Sequence, residues 1–170
     1  MNLKKHIFLT GDVQIGKSTV INKAVMMLDV PVGGFRTVGA NYQKDGSSDI
    51  IIYPAEKRPE EGKIAAHRTP DGRISYPEVF DTYGAEYLRR PAKLILMDEL
   101  GFLETDAKLF QKAVFETLDK TTPVLGVIRN KNTAFLDAVR ARNDIILLTV
   151  TKENRDSIPE KIVYFMSGKV

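Results

Sequence analysis

The chain has 170 residues, a net charge of +3, two histidines and no cysteine. This length suits one domain, and a chain of this size buries enough surface to fold without a metal or a disulfide. The lack of cysteine excludes disulfides and thiolate zinc sites, and two scattered histidines argue against a histidine metal site. No apolar stretch has the length of a membrane span or a secretory signal, so we expect a cytoplasmic protein.

The first element is an apolar strand followed by a glycine-containing loop, in the stretch HIFLTGDVQIGKST at residues 6–19. Residues 11–18 fit the phosphate-binding pattern GxxxxGK[ST], and an amphipathic helical pattern begins directly after them. Gly11 and Gly16 allow the backbone to curl so that successive N–H groups point at one centre, where phosphate oxygens bind. The N-terminus of the following helix adds partial positive charge. The sequence therefore predicts a nucleotide phosphate site.

Three side chains at the end of this loop are expected to act on phosphate or metal. Lys17 would reach the β- and γ-phosphates, and the Ser18 hydroxyl would take one coordination position on Mg²⁺. Thr19 is expected to support the α-phosphate. The nucleotide should contact the loop throughout, at Gly11, Asp12, Val13, Gln14, Ile15, Gly16, Lys17, Ser18 and Thr19.

Residues 35–76 have a different pattern. Strand-like runs are separated by turn signals, of which KDGS and TPDG are the strongest; the runs lie at 35–42, 49–53, 63–67 and 73–76. This pattern favours an antiparallel, hairpin-rich insertion over another βαβ unit. Two roles remain open for it: an extension of the sheet edge, or a lid over the nucleotide.

From residue 77 onward, predicted helices and strands alternate. Pro77 suits the first turn of a helix that Pro91 ends, and the aromatic residues of this helix are expected in the core. Further strands are predicted at 93–97, 123–128 and 145–150, with helices from Thr105 to about Lys120, over 133–141, and after a cap at Thr151.

This alternation predicts an α/β fold in a single domain over residues 1–170. A mostly parallel sheet would carry helices on both faces, joined by right-handed crossovers. In such folds, ligands bind at the carboxyl ends of the strands. The phosphate-binding loop and the residues that end the later strands should therefore meet at one edge.

The second half of the site is predicted at the end of the apolar run LILM at 94–97. Asp98 follows it, where P-loop enzymes keep an Asp that holds magnesium, usually through water. Glu99 comes next, where its carboxylate would accept a hydrogen bond from the attacking water and aim it at the γ-phosphorus. Because the transition state is loose, orienting the water matters more than complete proton removal, and an ionised Glu suffices.

Three later residues are candidates for contact with the nucleotide. Arg129 closes the fourth strand of the parallel series, where it either contacts the γ-phosphate as an arginine finger in cis or stands solvated at a strand end. Asn154 and Arg155 fall just after the last strand. There a guanidinium would stack on a base or pair with phosphate, and an amide would bond to a base edge. From spacing alone, a surface helix start is the simpler interpretation of this pair.

Basic residues are dispersed, with two local groups at Arg89, Arg90 and Lys93 and at Arg129, Lys131, Arg140 and Arg142. A basic surface beside a phosphate site more often steers a nucleotide than follows a nucleic acid. We therefore expect nucleoside triphosphates such as ATP and GTP as partners, no RNA or DNA, and a monomer. His6 and His67 are interpreted as structural residues.

Four motifs in order, HIFLTGDVQIGKST, GGFRT, LILMDELGFLE and TVTKENRD, resemble those of the nucleoside-triphosphatase family known from thermophiles and from the human cancer-related nucleoside-triphosphatase. The resemblance covers nearly the whole chain. It implies a RecA-like P-loop fold and Mg²⁺-dependent hydrolysis of nucleoside triphosphates to diphosphate and phosphate, with loose choice of base. It also implies site roles: phosphate and metal for Lys17 and Ser18, metal for Asp98, water for Glu99, and nucleotide for Asn154 and Arg155.

This chain departs from the family pattern at two positions. Gln14 stands where the family loop usually has Gly, which is expected to alter the rigidity of the loop or the turnover. Phe102 stands where the family usually has Lys after the Asp, Glu and Gly of the second motif. A role assigned to that basic side chain does not carry over to this chain.

Three other functions fit parts of the sequence. A regulatory GTPase would explain the DxxG at 98–101 and the Asn130–Lys131 pair, but Thr133 replaces the Asp that reads guanine. A nucleotide or nucleoside kinase would use Arg36, Arg58 and Arg68 to hold an acceptor, although an Arg-rich lid is not evident. A binding or assembly module would use nucleotide as a switch, and Glu99 argues against an inert site.

Overall fold

The computed structural model describes residues 4–170, which form one eight-stranded sheet with helices against it. The strands are β1 (His6–Thr10), β2 (Val32–Ala40), β3 (Ser48–Pro54), β4 (Lys63–Thr69), β5 (Gly72–Ser75), β6 (Leu94–Leu100), β7 (Val124–Ile128) and β8 (Ile145–Thr149). The helices are α1 (Lys17–Leu28), α2 (Pro77–Val79), α3 (Ala85–Arg89), α4 (Lys108–Leu118), α5 (Ala134–Arg140) and α6 (Ile158–Met166). A π-helical segment, Phe80–Gly84, joins α2 to α3, and Pro59–Glu61 forms one 3₁₀ turn.

The strand order is β5-β4-β3-β2-β6-β7-β1-β8. Five neighbours, from β2 through β6, β7 and β1 to β8, pair in parallel, whereas β3, β4 and β5 add antiparallel strands beyond β2. The mixed sheet is the α/β class that the alternating pattern predicted. The hairpins continue this sheet, so the sheet-edge role is the one observed. β2 is the strand shared by the two halves.

The central strands β1, β6 and β7 are buried on both faces of the sheet, and β6 shows why. Leu94 and Leu96 point into one apolar cluster with Ile7 and Ile21, while Ile95 and Met97 point into the other cluster with the aromatic residues. A strand covered on both faces needs continuous rather than alternating apolar residues, as in LILM. The amphipathic residues predicted for the first helix, Val20, Ile21, Ala24, Val25 and Leu28, all pack in the former cluster.

Several element boundaries differ from the predicted ones. β2 begins at Val32 rather than at 35, because Val32 pairs with Leu94 of β6. β6 continues past Met97 to Leu100, which pairs with Ile128 of β7, so the acidic residues at 98 and 99 lie inside the strand rather than after it. Strand partners far away in sequence set both limits.

Two predicted helix caps are wrong. Thr105 hydrogen-bonds the carbonyl of Phe102 at 2.7 Å, and α4 begins later, at Lys108. The closing helix begins at Ile158, because the segment after Thr151 forms turns before it. Thr133 does cap α5, since its hydroxyl accepts a hydrogen bond from the Leu136 N–H at 3.1 Å. Within residues 4–170, no helix is long and apolar enough to cross a membrane.

Candidate functional site

A cavity of about 720 Å³ opens at the carboxyl ends of the parallel strands. Its lining includes most of the predicted site residues, from three separate parts of the chain: Gly11, Asp12, Val13, Gln14, Gly16, Lys17, Ser18, Thr19, Asp98, Glu99 and Arg129. Of the predicted loop residues, Ile15 does not line this cavity and packs instead against the core. The structure therefore brings the loop, the acidic pair and the arginine together.

The loop between β1 and α1 is curled by its glycines. Gly11 has φ +134° and Gly16 has φ +106°, values that side-chain-bearing residues rarely adopt. At Gly11 a Cβ would also lie 2.6 Å from the Val150 carbonyl oxygen, so the close approach to β8 requires glycine. Gln14 has φ +61°, the left-handed conformation that glycine would adopt at lower cost, which fits the departure noted at this position.

Lys17 lies across the mouth of the loop. Its ammonium donates hydrogen bonds to the carbonyls of Gly11 at 3.0 Å and Asp12 at 2.5 Å. Burial lowers the pKa of Lys17, although the charge of Glu99 opposes that effect. The ammonium is thus held against the backbone of the loop, in the lining of the cavity.

Asp98 is the most enclosed of the acidic residues at the loop. Its carboxylate accepts a hydrogen bond from the Ser18 hydroxyl at 3.3 Å and from the Arg36 guanidinium at 3.4 Å. Burial raises the pKa of Asp98 to about 6, and the charge of Arg36 opposes the rise. Arg36 also donates to the Asn22 side chain of α1 at 2.8 Å, so it connects Asp98 to that helix.

The donor set at Ser18 and Asp98 is compatible with Mg²⁺. Among residues 4–170, no three His, Cys, Asp or Glu side chains are grouped so that they alone would hold a metal. Mg²⁺ does not need such a group, because it keeps several waters and binds through one or two protein oxygens together with phosphate oxygens. A hydroxyl and a carboxylate oxygen 3.3 Å apart beside a phosphate loop satisfy that requirement.

Glu99 and Arg129 form an ion pair across β6 and β7, with the arginine Nε donating to the carboxylate. The Arg129 guanidinium also lies 5.7 Å from the ring centre of Phe102, and that of Arg73 lies 4.2 Å from it. Phe102 therefore has one arginine near the acidic pair and a second one on β5.

Thr37 was not predicted from the sequence, and Arg36 was given no role beside Asp98. Thr37 Oγ1 donates to the Asp98 carbonyl at 3.3 Å and accepts from the Glu99 N–H at 3.4 Å, so β2 fixes the backbone between the two acidic residues. The available signal was the motif GGFRT, which carried the family resemblance without an assigned function. Its residues reach Asp98 only through the parallel pairing of β2 with β6.

Glu104 was also missed, although it lines the cavity and is 1% exposed. Its carboxylate accepts a hydrogen bond from the Gly101 N–H at 3.0 Å. Burial raises the pKa of Glu104 to about 7, and the nearby charge of Glu99 adds to the rise while Arg129 opposes it. Glu104 thus holds the turn that follows Glu99.

Arg155 and Asn154 lie apart from the main cavity. Arg155 lines a separate recess of about 220 Å³ beside α1, together with Gly16, Thr19 and Lys23. Asn154 lines neither space. Its side chain accepts from the Thr151 N–H at 2.8 Å and donates to the Thr149 carbonyl at 2.9 Å, which closes the turn after β8.

The remaining predicted residues have structural positions. His6 is fully buried, with its ring nitrogens bonded to the Leu118 carbonyl at 3.0 Å and the Val124 N–H at 3.1 Å. His67 bonds Asp49 at 2.8 Å. Thr133 caps α5, so the position that reads guanine in regulatory GTPases serves a helix start here.

The chain is similar in sequence to known nucleoside-triphosphatases. The family model described as NTPase matches residues 6–163. The human cancer-related nucleoside-triphosphatase is 30% identical over 184 residues, covering 95% of this chain and 96% of that protein. Nucleoside-triphosphatase THEP1 of Methanosarcina barkeri is 32% identical over 166 residues, covering 92% of this chain and 94% of that protein.

Two solved structures share the fold. The crystal structure of THEP1 from Aquifex aeolicus has a TM-score of 0.76 at 22% identity and covers 94% of this chain and 97% of that one. The solution structure of a human cancer-related nucleoside triphosphatase has a TM-score of 0.72 at 26% identity and covers 98% and 99%. Since the family model spans nearly all of the chain, the chain belongs to the NTPase family of P-loop enzymes.

Proposed function

We propose that this member of the NTPase family hydrolyses nucleoside triphosphates to diphosphate and phosphate in the presence of Mg²⁺. The observation that carries the proposal is the shared lining of one cavity by the phosphate-binding loop, Asp98, Glu99 and Arg129. A loop of this kind without a nearby carboxylate would bind nucleotide but would have nothing to orient a water. The names of the relatives point to the same reaction.

In this proposal, the loop binds the phosphates and Lys17 leaves its carbonyl partners to contact the terminal one. Ser18 and Asp98 would hold Mg²⁺, which neutralises charge on the phosphate oxygens when it is bound. Burial raises the pKa of Asp98 to about 6, so this carboxyl is mostly ionised at neutral pH and able to serve as a metal ligand.

Glu99 would orient the attacking water in line with the γ-phosphorus. Its ion pair with Arg129 supports this assignment, because a carboxylate paired with a guanidinium is held in a fixed direction. Glu99 would lie beside the γ-phosphate of a bound triphosphate, and Arg129 is paired with Glu99. Arg129 would therefore also reach the γ-phosphate, where transition-state charge develops.

Broad tolerance of the base is part of the proposal. Arg155 lines the recess beside Gly16 and Thr19, on the outer side of the loop, and its planar guanidinium would stack on any base. The amide of Asn154 is committed to backbone groups of its own turn, so it does not read base edges. Arg155 would thus stack on the base, and no hydrogen bond from Asn154 would distinguish one base from another.

The test is a phosphate-release panel with ATP, GTP, CTP and UTP, with and without Mg²⁺ and with no acceptor. We expect release from all four triphosphates, with rates that differ by less than about tenfold, because stacking discriminates weakly between bases. Normal nucleotide binding without phosphate release would contradict hydrolysis. Transfer of the γ-phosphate to an added nucleoside or nucleoside monophosphate would favour the kinase alternative instead.

Two variants separate binding from turnover. Glu99→Gln should keep nucleotide affinity and lose about 10²-fold or more in kcat, since general-base and water-orienting groups contribute on that scale. Lys17→Ala should lower both nucleotide affinity and kcat. Normal turnover by Glu99→Gln would show that another group orients the water.

A further inference from the structure

The cavity does not end at Glu99 and Arg129. It continues along the antiparallel strands, where Ile50 of β3, Arg68 of β4 and Arg73 of β5 form its wall. Arg68 and Arg73 are direct cross-strand partners, and they lie on the same face of the sheet. These three strands lie farther from the phosphate-binding loop, along the sheet, than Glu99 and Arg129 do. The cavity therefore has room for a second ligand group beyond the terminal phosphate.

The two arginines are an unfavourable pair by themselves. Like charges directly opposite on neighbouring strands destabilise a sheet. Within residues 4–170, no carboxylate lies within 4.0 Å of either guanidinium, although other arginines of the chain form such ion pairs. Burial lowers the pKa of Arg73, and the charges of Arg68 and Arg129 lower it further. Folding therefore gathers positive charge here without providing its own counter-charge.

Arg73 is also held in position. Its guanidinium stacks 4.2 Å from the ring centre of Phe102, which fixes a side chain that would otherwise be mobile. Lys131 and Arg129 line the same cavity, and Arg129 is already paired with the carboxylate of Glu99. A fixed planar guanidinium opposite a second one suits an oxyanion with several acceptor oxygens.

We propose that Arg68 and Arg73 form a second phosphate subsite, which faces the phosphate-binding loop across the cavity and takes a phosphate monoester dianion. The monoester belongs to a second small molecule or is inorganic phosphate; both present the same oxygens to the two guanidinium groups. The organic part of an ester would contact Ile50 and Tyr42, an exposed aromatic residue that lines the same cavity. This subsite goes beyond the hydrolysis proposed above and does not depend on it.

The test measures binding with the loop already filled. Protein saturated with Mg²⁺ and a non-hydrolysable ATP analogue is titrated by calorimetry with phenyl phosphate and, separately, with inorganic phosphate. We expect phenyl phosphate to bind, and Arg68→Gln and Arg73→Gln each to weaken it at least tenfold, since each removes a charge-assisted contact. Equal affinity for both probes assigns the subsite to free phosphate, whereas tighter binding of phenyl phosphate assigns it to an ester.

Arg58→Gln is the matched control. Arg58 is exposed on the connection between β3 and β4, does not line the cavity, and carries the same charge. This variant should bind phenyl phosphate within twofold of the unmodified protein. An equal loss of phenyl phosphate affinity in Arg58→Gln would show that only the overall charge of the protein matters, and would overturn the proposal. Unchanged affinity in Arg68→Gln and Arg73→Gln would also overturn it.

Thermal unfolding separates a binding role from a structural one. Because removing one of two opposed charges relieves repulsion, the ligand-free Arg68→Gln variant should melt at the same temperature or higher. A lower melting temperature accompanied by lost binding would make the pair structural and overturn the proposal. Binding of a single-stranded oligonucleotide through Arg68 and Arg73, with neither small probe bound, would also overturn it in favour of a nucleic-acid surface.

Discussion

At the scale of single residues, Phe102 connects the hairpin strands with the predicted catalytic arginine. The ring lies near the guanidinium groups of both Arg73 and Arg129, and Arg129 is paired with Glu99. Phe102 contacts the guanidinium of Arg129, which is one of the predicted catalytic groups. Its effect on turnover is therefore expected to pass through the position of Arg129.

We predict that Phe102→Leu lowers kcat by about three- to tenfold and leaves nucleotide affinity within twofold. A cation–π contact contributes roughly 0.5–2 kcal/mol, and leucine keeps the bulk but not the ring. Phe102→Tyr retains the ring and should restore turnover. Steady-state kinetics and a separate nucleotide titration measure the two quantities. An equal fall in affinity would indicate a general loss of structure instead.

Glu104 gives a pH dependence of stability. Its side chain is buried against the Gly101 N–H, and the charges facing it are Glu99 and Arg129. Because burial raises the pKa of Glu104 to about 7 in the folded protein, the unfolded chain loses this proton first as pH rises. Its contribution to stability is complete below the model-peptide value of 4.5 and decreases as pH rises through about 7.

We therefore predict that Glu104→Gln removes this decrease. The difference in unfolding free energy between variant and unmodified protein should shift by up to about 3 kcal/mol in favour of the variant between pH 4.5 and 8. Urea unfolding at several pH values measures it. Comparing the two proteins at each pH cancels the opposite effect of His6, whose pKa burial lowers. Parallel pH curves for the two proteins would contradict the assignment.

At the scale of elements, the apolar runs predicted the strands well, and long-range pairing set their limits. LILM was recognisable because a strand buried on both faces needs apolar residues throughout. The extension of β6 to Leu100 depends on Ile128, and the start of β2 depends on Leu94, so neither limit is visible locally. Thr37 was not predicted for the same reason, because its hydrogen bonds with residues 98 and 99 join β2 to β6.

The packing of β7 against β1 depends on a missing side chain. At Gly126 a Cβ would lie 2.4 Å from the Cε1 atom of buried Phe8. We predict that Gly126→Ala lowers the free energy of unfolding by about 1–3 kcal/mol, the usual cost of overpacking. Urea denaturation measures it. Gly72→Ala is the control, because its Cβ would meet no atom within 4 Å, and an equal loss there would contradict the packing argument.

At the scale of the whole molecule, the site depends on parts of the chain that are distant in sequence. The loop at 11–18 and the run ending in Asp98 and Glu99 were predictable because each carries a local pattern with a known chemistry. The proposed roles of Glu99 and Arg129 stay predictions. The arginine wall was not predictable as a unit, since Arg68 and Arg73 belong to different strands and only the hairpin register brings them together.

Nucleotide binding should stabilise the entire fold, because the cavity joins β1, β2, β6 and β7 with α1. At a ligand concentration of 100 times Kd, we predict a gain of about 2.7 kcal/mol in unfolding free energy with a non-hydrolysable ATP analogue and Mg²⁺. Thermal unfolding with and without the ligand measures it. Lys17→Ala should lose most of the gain at the same concentration, and an undiminished gain in this variant would place the nucleotide elsewhere.

The mixed direction of the sheet has a consequence for how such an enzyme diversifies. The loop and the acidic pair lie at the ends of parallel strands, whereas the far wall of the cavity lies on two hairpins whose turns, near residues 46 and 71, are exposed. Insertions or substitutions in those hairpins would reshape what accompanies the nucleotide while the phosphate-handling machinery keeps its form. In this proposal, substitutions in the hairpins would change which second ligand binds, and substitutions in the parallel strands would change phosphate hydrolysis.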